Sequence, residues 1–398
     1  MDKVRVGVLG AGRGDMMIKY CMHANNAELV AVCDFSPYFL NRAKTRVDSD
    51  NVTYYTDFEE FIKHDMDAVI LANYATDHAP FAIRCLQAGK HVLSEVLPCQ
   101  NLAEAVALVE ACEKSDKIYA YGENYCFMPS CREMRRIFRE GKLGAFEYGE
   151  GEYVHNCESI WVDITQGKRD HWRNQLHAFY YCTHSFGPLV HISGLRPVKV
   201  TGFELPYNAR QARMGAPTGS AGIEMVEMEN GAICKSLHGD GLSKNSIWYT
   251  VYGSIGRLES AREDAQNNRY NHVYTNLDTY EGENERDKYI TSYDPTDELS
   301  EASQAYGHGG SDYYCIWNFF EKILGNPEAT AAWLAYVKAC VARYRDVVDE
   351  WEVWNEAYGQ GADYAELFYI TAKAVREVQP EAKIFVTAIS FPKEFVMV

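Results

Sequence analysis

The sequence lacks long apolar runs, clustered cysteines and an excess of basic residues. No stretch of about 18 or more apolar residues occurs, which argues against a membrane span. The twelve cysteines form no CxxC pair, so we expect reduced, mostly buried thiols and no disulfide framework. The formal charge of −17 argues against a nucleic-acid or anionic-membrane partner.

Targeting and metal-binding signals are also missing. The N-terminus has no charged leader followed by an apolar stretch, so we expect a cytoplasmic protein. No HxH, HExxH or CxxC spacing suggests a metal site, and we expect no metal. The 398 residues, of which 47% are hydrophobic and 24% charged, are typical of a globular protein with two or three domains.

The beginning of the chain has the order strand, glycine loop, helix, strand and acid. Val4–Leu9 is a short apolar run, as expected of a buried parallel strand. The loop Gly-Ala-Gly-Arg-Gly-Asp follows at residues 10–15, and residues 16–24 are compatible with a helix. A second apolar strand over residues 28–33 ends at Asp34. This order predicts a dinucleotide-binding Rossmann domain.

Four residues of the loop have expected roles in binding the dinucleotide. Gly10 allows the tight turn, Gly12 lets the pyrophosphate approach the backbone, and the helix N-terminus, reached through Arg13 and Gly14, attracts the phosphates. Asp34 lies where it can accept hydrogen bonds from the ribose hydroxyls and repel a 2′-phosphate, which favours NAD over NADP. The fingerprint is imperfect, because Asp15 occupies the third glycine position. A glycine turn in an unrelated α/β protein is the alternative.

Alternating helices and strands continue to about residue 121. We predict helices at 58–63, 80–88 and 103–115 and strands at 68–72, 91–94 and 118–121, hence a doubly wound parallel sheet. Ligands of such sheets bind beyond the carboxyl ends of the strands, where Asn73, His78 and Glu95 follow. We predict that these three residues bind the cofactor. The alternatives are that His78 caps a helix and that Glu95 is a solvated loop acid.

Four segments together resemble the Gfo/Idh/MocA oxidoreductase family over residues 1 to about 328. They are GKHVLSEVLP at 89–98, GENY at 122–125, GKLG at 141–144 and GHGGSD at 307–312. The resemblance implies an NAD(P)-binding Rossmann domain at 1–122 and a substrate-binding α/β domain with a large, mostly antiparallel sheet at 123–328. Strand-like residues at 146–155, 198–205, 223–228, 232–237 and 247–252 agree, with a hairpin signal at Asn230-Gly231.

The chain departs from that family at the residue that follows Glu95. The family's usual lysine, an acid/base at the oxidised hydroxyl or the partner of one, is Val96 here. The family's acid four residues before the histidine that matches His184 is Tyr180 here. The local pattern Tyr-x-Thr-His-x-x-Gly-Pro, which begins at Tyr181, resembles glycoside hydrolase family 109. Members of that group cleave α-N-acetylgalactosaminides with a retained NAD.

This second resemblance implies a catalytic set of Glu123, Tyr153, Tyr181 and His184, with Asn124 beside the cofactor. NAD would take hydride from ring C3, a base would remove the C2 proton, the C1 substituent would leave with acid assistance, and water would add. Each proton transfer needs a side chain whose pKa lies near neutrality. The alternatives are packing tyrosines, in a chain with 28 of them, and a structural histidine.

The predicted partner is a small carbohydrate or glycoside. We predict that His171, Trp172, Arg173 and His308 bind it; a surface loop is the alternative for the first three. We expect a homo-oligomer. Three functions stay open: an NAD-dependent carbohydrate oxidoreductase, an NAD-dependent glycosidase without net redox change, and a non-catalytic NAD-binding protein.

The character of the sequence changes near Pro327. Residues 330–344 and 364–378 are helix-like, and residues 347–353 and 383–388 are strand-like. Asn355-Glu356 after a strand resembles the middle of a (β/α)8-barrel glycoside hydrolase. Two strands cannot close a barrel, so we interpret 329–398 as a foreign βα fragment without a catalytic role for Glu356. A diverged docking segment is the alternative.

Overall fold

The chain divides into two compact units, Met1–Ile323 and Leu324–Val398. The structure is a computed structural model and describes residues 3–262, 272–277, 288–293, 297–325, 337–338, 341–342, 350–353 and 361–386. Within these residues every cysteine is a free thiol. No helix among them combines the length and the apolar character that crossing a membrane requires.

The first unit begins with a six-stranded sheet whose pairs are all parallel. The strands are β1 Val4–Leu9, β2 Ala27–Cys33, β3 Thr53–Tyr55, β4 Ala68–Leu71, β5 His91–Ser94 and β6 Tyr119–Tyr121. Val4, Val6 and Val8 are completely buried, because helices cover both faces of a parallel sheet. The predicted doubly wound sheet is confirmed.

The strand order is β3-β2-β1-β4-β5-β6, so the winding reverses between β1 and β4. Ligands of open α/β sheets bind in the crevice beyond the carboxyl ends of the strands at such a reversal. Gly10 and Asn73 lie within two residues of the ends of these two strands. The helices are α1 Asp15–His23, α2 Pro37–Val47, α3 Phe58–Phe61, α4 His78–Gln87 and α5 Leu102–Glu113.

Helix α2 and strand β3 were not among the predicted elements. Ser36 precedes the helix and Pro37 is its first residue, which is a common pattern at helix N-termini. Strand β3 has only three residues, none of them buried, so it has too little apolar pattern to be found. Its pairing with β2 extends the parallel sheet.

The second part of this unit is built on an eight-stranded sheet. The strands are β7 Phe146–Val154, β8 Pro197–Glu204, β9 Gly222–Met228, β10 Ile233–Gly239, β11 Ser246–Gly253, β12 Gly256–Ser260, β13 His272–Leu277 and β14 Lys288–Tyr293. Their order is β14-β13-β12-β11-β7-β10-β9-β8. Strands β7 and β10 pair in parallel, and the other pairs are antiparallel, which confirms the predicted mostly antiparallel sheet.

One face of this sheet carries the core. Met134 and Leu189 pack there with Tyr249 and Val251 of β11. Asn230 and Gly231, the latter with φ +86°, form the predicted turn between β9 and β10. The helices of this part are α6 Pro129–Arg139, α7 Trp161–Thr165, α8 Thr183–Ser193, α9 Ala209–Met214, α10 Ser300–Ser303 and α11 Ser311–Leu324.

The second unit contains two parallel strands joined through a helix. Strand β15 is Glu350–Val353, helix α12 is Gly361–Val378 and strand β16 is Lys383–Val386. These elements confirm the described part of the predicted βα fragment. The helix predicted at 330–344 and the Asn355-Glu356 pair lie outside the described residues, apart from 337–338 and 341–342.

Candidate active site

The glycine loop is fixed by close backbone packing. Gly10 has φ +96°, and its N–H donates to the carbonyl of Cys33 over 2.8 Å. A Cβ on Gly14 would collide with the carbonyl oxygen of Gly10 and lie 2.8 Å from Cγ1 of Val8. Gly14 therefore supplies the close helix–strand contact, and helix α1 begins at Asp15. Asp15 occupies the third glycine position of the fingerprint, and Gly14, one residue earlier, takes the packing role of that glycine.

Asp34 ties this loop to the turn after β2. Its Oδ2 atom accepts a hydrogen bond from the N–H of Ala11, and Oδ1 accepts one from Ser36, both over 2.8 Å. The residue is 5% exposed. Its carboxylate therefore lies directly below the loop, and each oxygen has a further lone pair for a ribose hydroxyl.

The residues predicted beyond the ends of β4 and β5 contact residues of neighbouring loops. Arg13 Nη2 lies 2.8 Å from Oε1 of Glu95, whose charge is the main cause that raises the pKa of Arg13. The buried ring of His78 contacts the carbonyl oxygens of Leu97, 2.7 Å from Nδ1, and Asn73, 3.3 Å from Nε2. Burial lowers the pKa of His78. His78 thus braces the two loops that follow β4 and β5.

His184 and Glu123 form a buried pair. Helix α8 carries His184, and Glu123 precedes the short 3-10 helix Asn124–Phe127. Nδ1 of His184 lies 2.6 Å from Oε1 of Glu123, and each residue is 5% exposed. A Cβ at Gly187 would lie 2.9 Å from Cγ of Glu123, so glycine lets α8 approach the carboxylate.

Three tyrosine rings surround the His184 imidazole. Tyr125 stacks on it with a centroid distance of 4.1 Å, and Tyr153 and Tyr181 meet it edge-on at 4.6 Å and 5.0 Å. The hydroxyl of Tyr249 donates to the carbonyl oxygen of His184 over 2.5 Å. These contacts hold the imidazole in one orientation. The structure therefore brings together all four residues of the predicted catalytic set.

The Tyr153 hydroxyl is buried beside a second histidine. It lies 3.1 Å from Nδ1 of His155, within hydrogen-bond distance. Burial raises the pKa of the Tyr153 phenol well above the ordinary value. Burial and then the charge of Arg173 lower the pKa of His155. A tyrosinate is therefore disfavoured at Tyr153.

His308 and Asn124 meet at a second buried acid. Nδ1 of His308 lies 3.1 Å from both carboxylate oxygens of Asp312, and Nδ2 of Asn124 donates to Oδ1 over 2.6 Å. Burial opposes ionisation of Asp312, but the hydrogen bond and charge of His308, with the charge of Arg13, lower its pKa. Predicted cofactor and substrate residues thus share one network.

A cavity of about 260 Å³ lies among these residues. Arg13 and Val96 line it from the Rossmann side, and Tyr153, Tyr181 and His184 from the second sheet. Trp172, Arg173, Asn124 and His308 also line it.

His171 is not among the residues that line this cavity. Its ring packs on Tyr74 at 5.0 Å, and Nδ1 accepts the N–H of Arg173 over 3.3 Å. Burial lowers the pKa of His171 to about 4. His171 therefore supports the loop that carries Trp172 and Arg173, whose guanidinium lies over the Tyr181 ring at 5.6 Å.

The family comparison identifies the first domain. Residues 4–123 match the model of the Gfo/Idh/MocA oxidoreductase family, NAD-binding Rossmann fold. These residues are a Gfo/Idh/MocA NAD-binding domain. Two solved structures share this fold, at 17% and 19% sequence identity. Levoglucosan dehydrogenase in complex with NADH has a TM-score of 0.63 over 81% of this chain and 90% of its own. Myo-inositol 2-dehydrogenase from Lactobacillus plantarum has 0.59 over 81% and 89%.

Curated relatives carry the name of a glycosyl hydrolase family. A glycosyl hydrolase family 109 protein of Shewanella pealeana is 30% identical over 201 residues, 48% of this chain and 44% of the relative. A glycosyl hydrolase family 109 protein 2 of Shewanella sp. (strain MR-4) is 24% identical over 389 residues, 87% and 84% of the two chains. The match to the first relative therefore spans less than half of its length.

The residues beyond the ends of β1 and β4, where the winding of the sheet reverses, fit a dinucleotide. The carbonyl oxygen of the Asn73 side chain is buried and has no hydrogen-bond partner among the described residues. Gly10 and Gly14 leave no room for side chains where the loop passes the strands. An unpaired polar atom beside such a loop is expected where a ligand completes the hydrogen bonds.

Several polar residues of the cavity were not predicted, among them His155 and Asp240. His155 lies two positions after Tyr153, so the period of a strand would have placed both on one face. Asp240 directly follows β10, just as Asp34 directly follows β2. The position after a strand was the signal that indicated Asp34. Asp312, behind His308, lies within the GHGGSD segment and was not singled out either.

Proposed function

We propose that this chain oxidises a hydroxyl of a small carbohydrate or glycoside by hydride transfer to NAD, with His184 as the base. The observation that carries the proposal is His184, which lines a cavity that Arg13 and Val96 complete from the Rossmann domain and which is paired with the buried Glu123 behind it. The names of the fold's solved examples, which include sugar and inositol dehydrogenases, support a polyol substrate.

Cofactor recognition is assigned to two groups of residues. Gly10, Gly12, Arg13, Gly14 and Asp34 would hold the pyrophosphate and the adenosine ribose, and Asp34 selects NAD over NADP by charge. A second group lies beyond the other strand ends: Asn73, His78, Glu95 and Asn124. When bound, NAD accepts a hydride from the substrate and can return it.

The proton transfer is assigned to His184 and Glu123. Because Glu123 engages Nδ1, the other ring nitrogen, Nε2, receives the hydroxyl proton, and the carboxylate stabilises the imidazolium that forms. The Gfo/Idh/MocA resemblance would place a lysine, with its ammonium group, at the position of Val96. The histidine pair therefore replaces the lysine as the site of proton transfer.

A second candidate function is redox-neutral glycoside cleavage. The observation that favours it is the Tyr181 phenol against the His184 ring, since a dehydrogenase needs only one proton acceptor and this chemistry uses a second. Ketone formation at C3 would acidify the C2 proton, which His184 or Tyr181 removes, while the Tyr153 hydroxyl donates a hydrogen bond. The family name of the curated relatives supports this candidate.

We further propose a cytoplasmic homo-oligomer. Free thiols throughout the described chain support a reducing compartment. The edge strand β8 exposes Val198, Val200 and Phe203, each at 60% or more, and exposed apolar strands are common at interfaces. Light scattering after size exclusion tests the assembly; a monomer at micromolar concentration would contradict it.

The experiment that separates these functions measures NADH and aglycone together. Protein with excess NAD is given free sugars or inositols, and then 4-nitrophenyl N-acetyl-α-galactosaminide. Steady NADH production at 340 nm supports a dehydrogenase. Aglycone release without NADH accumulation, with solvent deuterium entering C2, supports the glycosidase. Neither signal, despite tight NAD binding, would overturn both and leave a non-catalytic NAD-binding protein.

A further inference from the structure

The cavity is lined by two chemically different groups of residues. The rings of Tyr153, Tyr181 and His184 form a polar group. An apolar group consists of Cys157, Ile160, Trp161, Ile164 and Leu176, and the first four of these belong to a separate hydrophobic cluster with Met214 and Ala216. A sugar bearing an apolar substituent matches such a lining better than a free sugar does.

Asp240 lies at the border between these groups. The N–H of His155, next to the polar group, donates to the carbonyl of Gly239 over 2.9 Å. The N–H of Cys157, in the apolar group, donates to the carbonyl of Asp240 over 3.2 Å. Asp240 also lines the cavity. The end of strand β10 therefore places an acidic residue where the two linings meet.

The backbone on both sides of Asp240 is held in place. A Cβ on Gly239 would lie 2.5 Å from the carbonyl oxygen of Ser220, and one on Gly241 would lie 2.6 Å from Oε1 of Gln211. Nε2 of Gln211, a completely buried residue, donates to Oδ1 of Asp240 over 3.4 Å. The position of the carboxyl group is thus set by tight packing rather than by a flexible loop.

Asp240 is the one acidic residue among the described residues that line the cavity. The acids behind the lining are engaged by cations or imidazoles: Glu95 by Arg13, Glu123 by His184 and Asp312 by His308. Burial raises the pKa of Asp240, opposed by hydrogen bonds and by the charges of Arg173 and His238. A carboxyl group at such a position can exchange a proton with a leaving oxygen, as general acid catalysis requires.

We propose that Asp240 is the acid that protonates the glycosidic oxygen, and that the neighbouring apolar residues hold the aglycone. The inference rests on the second candidate function above. After C3 is oxidised, a base takes the C2 proton, its electrons form the C1–C2 double bond, and the C1–O bond breaks. The leaving oxygen takes the proton of Asp240, and the aspartate is reprotonated when water adds at C1.

The test compares two leaving groups in Asp240→Asn. We expect kcat/KM for methyl N-acetyl-α-galactosaminide to fall by about 10²–10⁴-fold. For the 4-nitrophenyl glycoside we expect a loss of less than about tenfold, because nitrophenolate departs without a proton. Exchange of the C2 hydrogen with solvent deuterium precedes C1–O cleavage, so it continues in the variant. Asp163→Asn, an exposed acid on α7, is the matched control and leaves both substrates unchanged.

The outcomes are distinguishable. Equal losses for both glycosides, or loss of C2 exchange together with cleavage, would overturn the assignment of Asp240. A wild-type protein that neither cleaves nor exchanges either glycoside would overturn the glycosidase function before any variant is compared. Bound NAD and the thermal midpoint report folding of Asp240→Asn. If it does not fold, Asp240→Glu, which keeps the acid, must preserve the wild-type ratio of the two substrates within about tenfold.

Discussion

Nδ1 of His184 lies 2.6 Å from Oε1 of Glu123, and both side chains are buried. We expect Glu123→Gln to reduce kcat by about 10²–10⁴-fold, because the imidazolium loses its carboxylate partner. NAD affinity should stay within about threefold, since Glu123 does not line the cavity. Turnover and cofactor titration measure the two effects. Glu147→Gln, an exposed acid on β7, is the control; a Glu123 variant with wild-type kcat would contradict the assignment.

The two tyrosines beside His184 should have separable effects. In the glycosidase, we expect Tyr181→Phe to preserve the first hydride transfer and to slow C2 deuterium exchange by about tenfold or more. Tyr153→Phe loses a hydrogen-bond donor but no base, because burial keeps its phenol protonated. A rapid-quench experiment in D₂O measures exchange against NADH formed. Equal slowing of both steps in Tyr181→Phe would argue against its role as a base.

The catalytic set was predictable only through the resemblance. The Tyr-x-Thr-His-x-x-Gly-Pro pattern indicated His184 and Tyr181, but Glu123 reaches His184 across 61 positions of sequence, a contact that periodicity cannot reveal. His155 and Asp240 were missed because each is a single polar residue at a strand end. The pKa of Tyr153 could not be foreseen, since it depends on burial by other rings.

Alanine substitutions at Gly14 and Gly12 should differ in their effect on the free energy of unfolding. Gly14→Ala places a methyl group against the Gly10 carbonyl and Val8, and we expect a loss of about 1–3 kcal/mol in unfolding free energy. Gly12→Ala meets Phe39 at an ordinary 3.5 Å, so stability should change by less than about 0.5 kcal/mol. Urea denaturation of the protein without NAD measures both. Equal destabilisation would contradict this division.

Gly12→Ala should instead weaken NAD binding. A methyl group there would lie where the pyrophosphate approaches the backbone, and we expect at least a tenfold increase in Kd, about 1.4 kcal/mol. Fluorescence titration with NADH provides the measurement. Unchanged affinity would show that the cofactor does not pass over Gly12.

Cofactor choice should depend on the charge of Asp34. Asp34→Asn keeps a carbonyl oxygen for the N–H of Ala11 but removes the negative charge that repels a 2′-phosphate. We expect the ratio of NADP to NAD affinity to rise by about tenfold, or 1.4 kcal/mol. Parallel titrations with NADH and NADPH test this. A ratio that does not change would assign cofactor selection elsewhere.

Removal of residues 329–398 should leave NAD binding intact. The residues assigned to the cofactor lie between Gly10 and Asn124, in the unit that ends at Ile323. We expect the Kd of NADH for residues 1–328 to equal that of the full chain within about threefold. Loss of NADH binding by a truncated protein that circular dichroism shows to be folded would mean that residues 329–398 are needed for cofactor binding.

The fold was more predictable than the site because apolar periodicity determines it. The continuous apolar strands β1, β2 and β4 and the alternating strand β10 were recognisable without any resemblance. Strand β3 and helix α2 were missed, since a short exposed strand has no such pattern. The role of Gly14 also escaped prediction, because it depends on the approach of Gly10 and Val8 in space.

We expect the cavity to oxidise a sugar hydroxyl with NAD. Stopped-flow mixing of the NAD-loaded protein with 4-nitrophenyl N-acetyl-α-galactosaminide, followed by NADH fluorescence, tests it within one turnover. In a dehydrogenase, fluorescence should rise and persist; in a glycosidase, it should rise before the aglycone is released and then decay. Aglycone release in the first turnover without any NADH signal would contradict it.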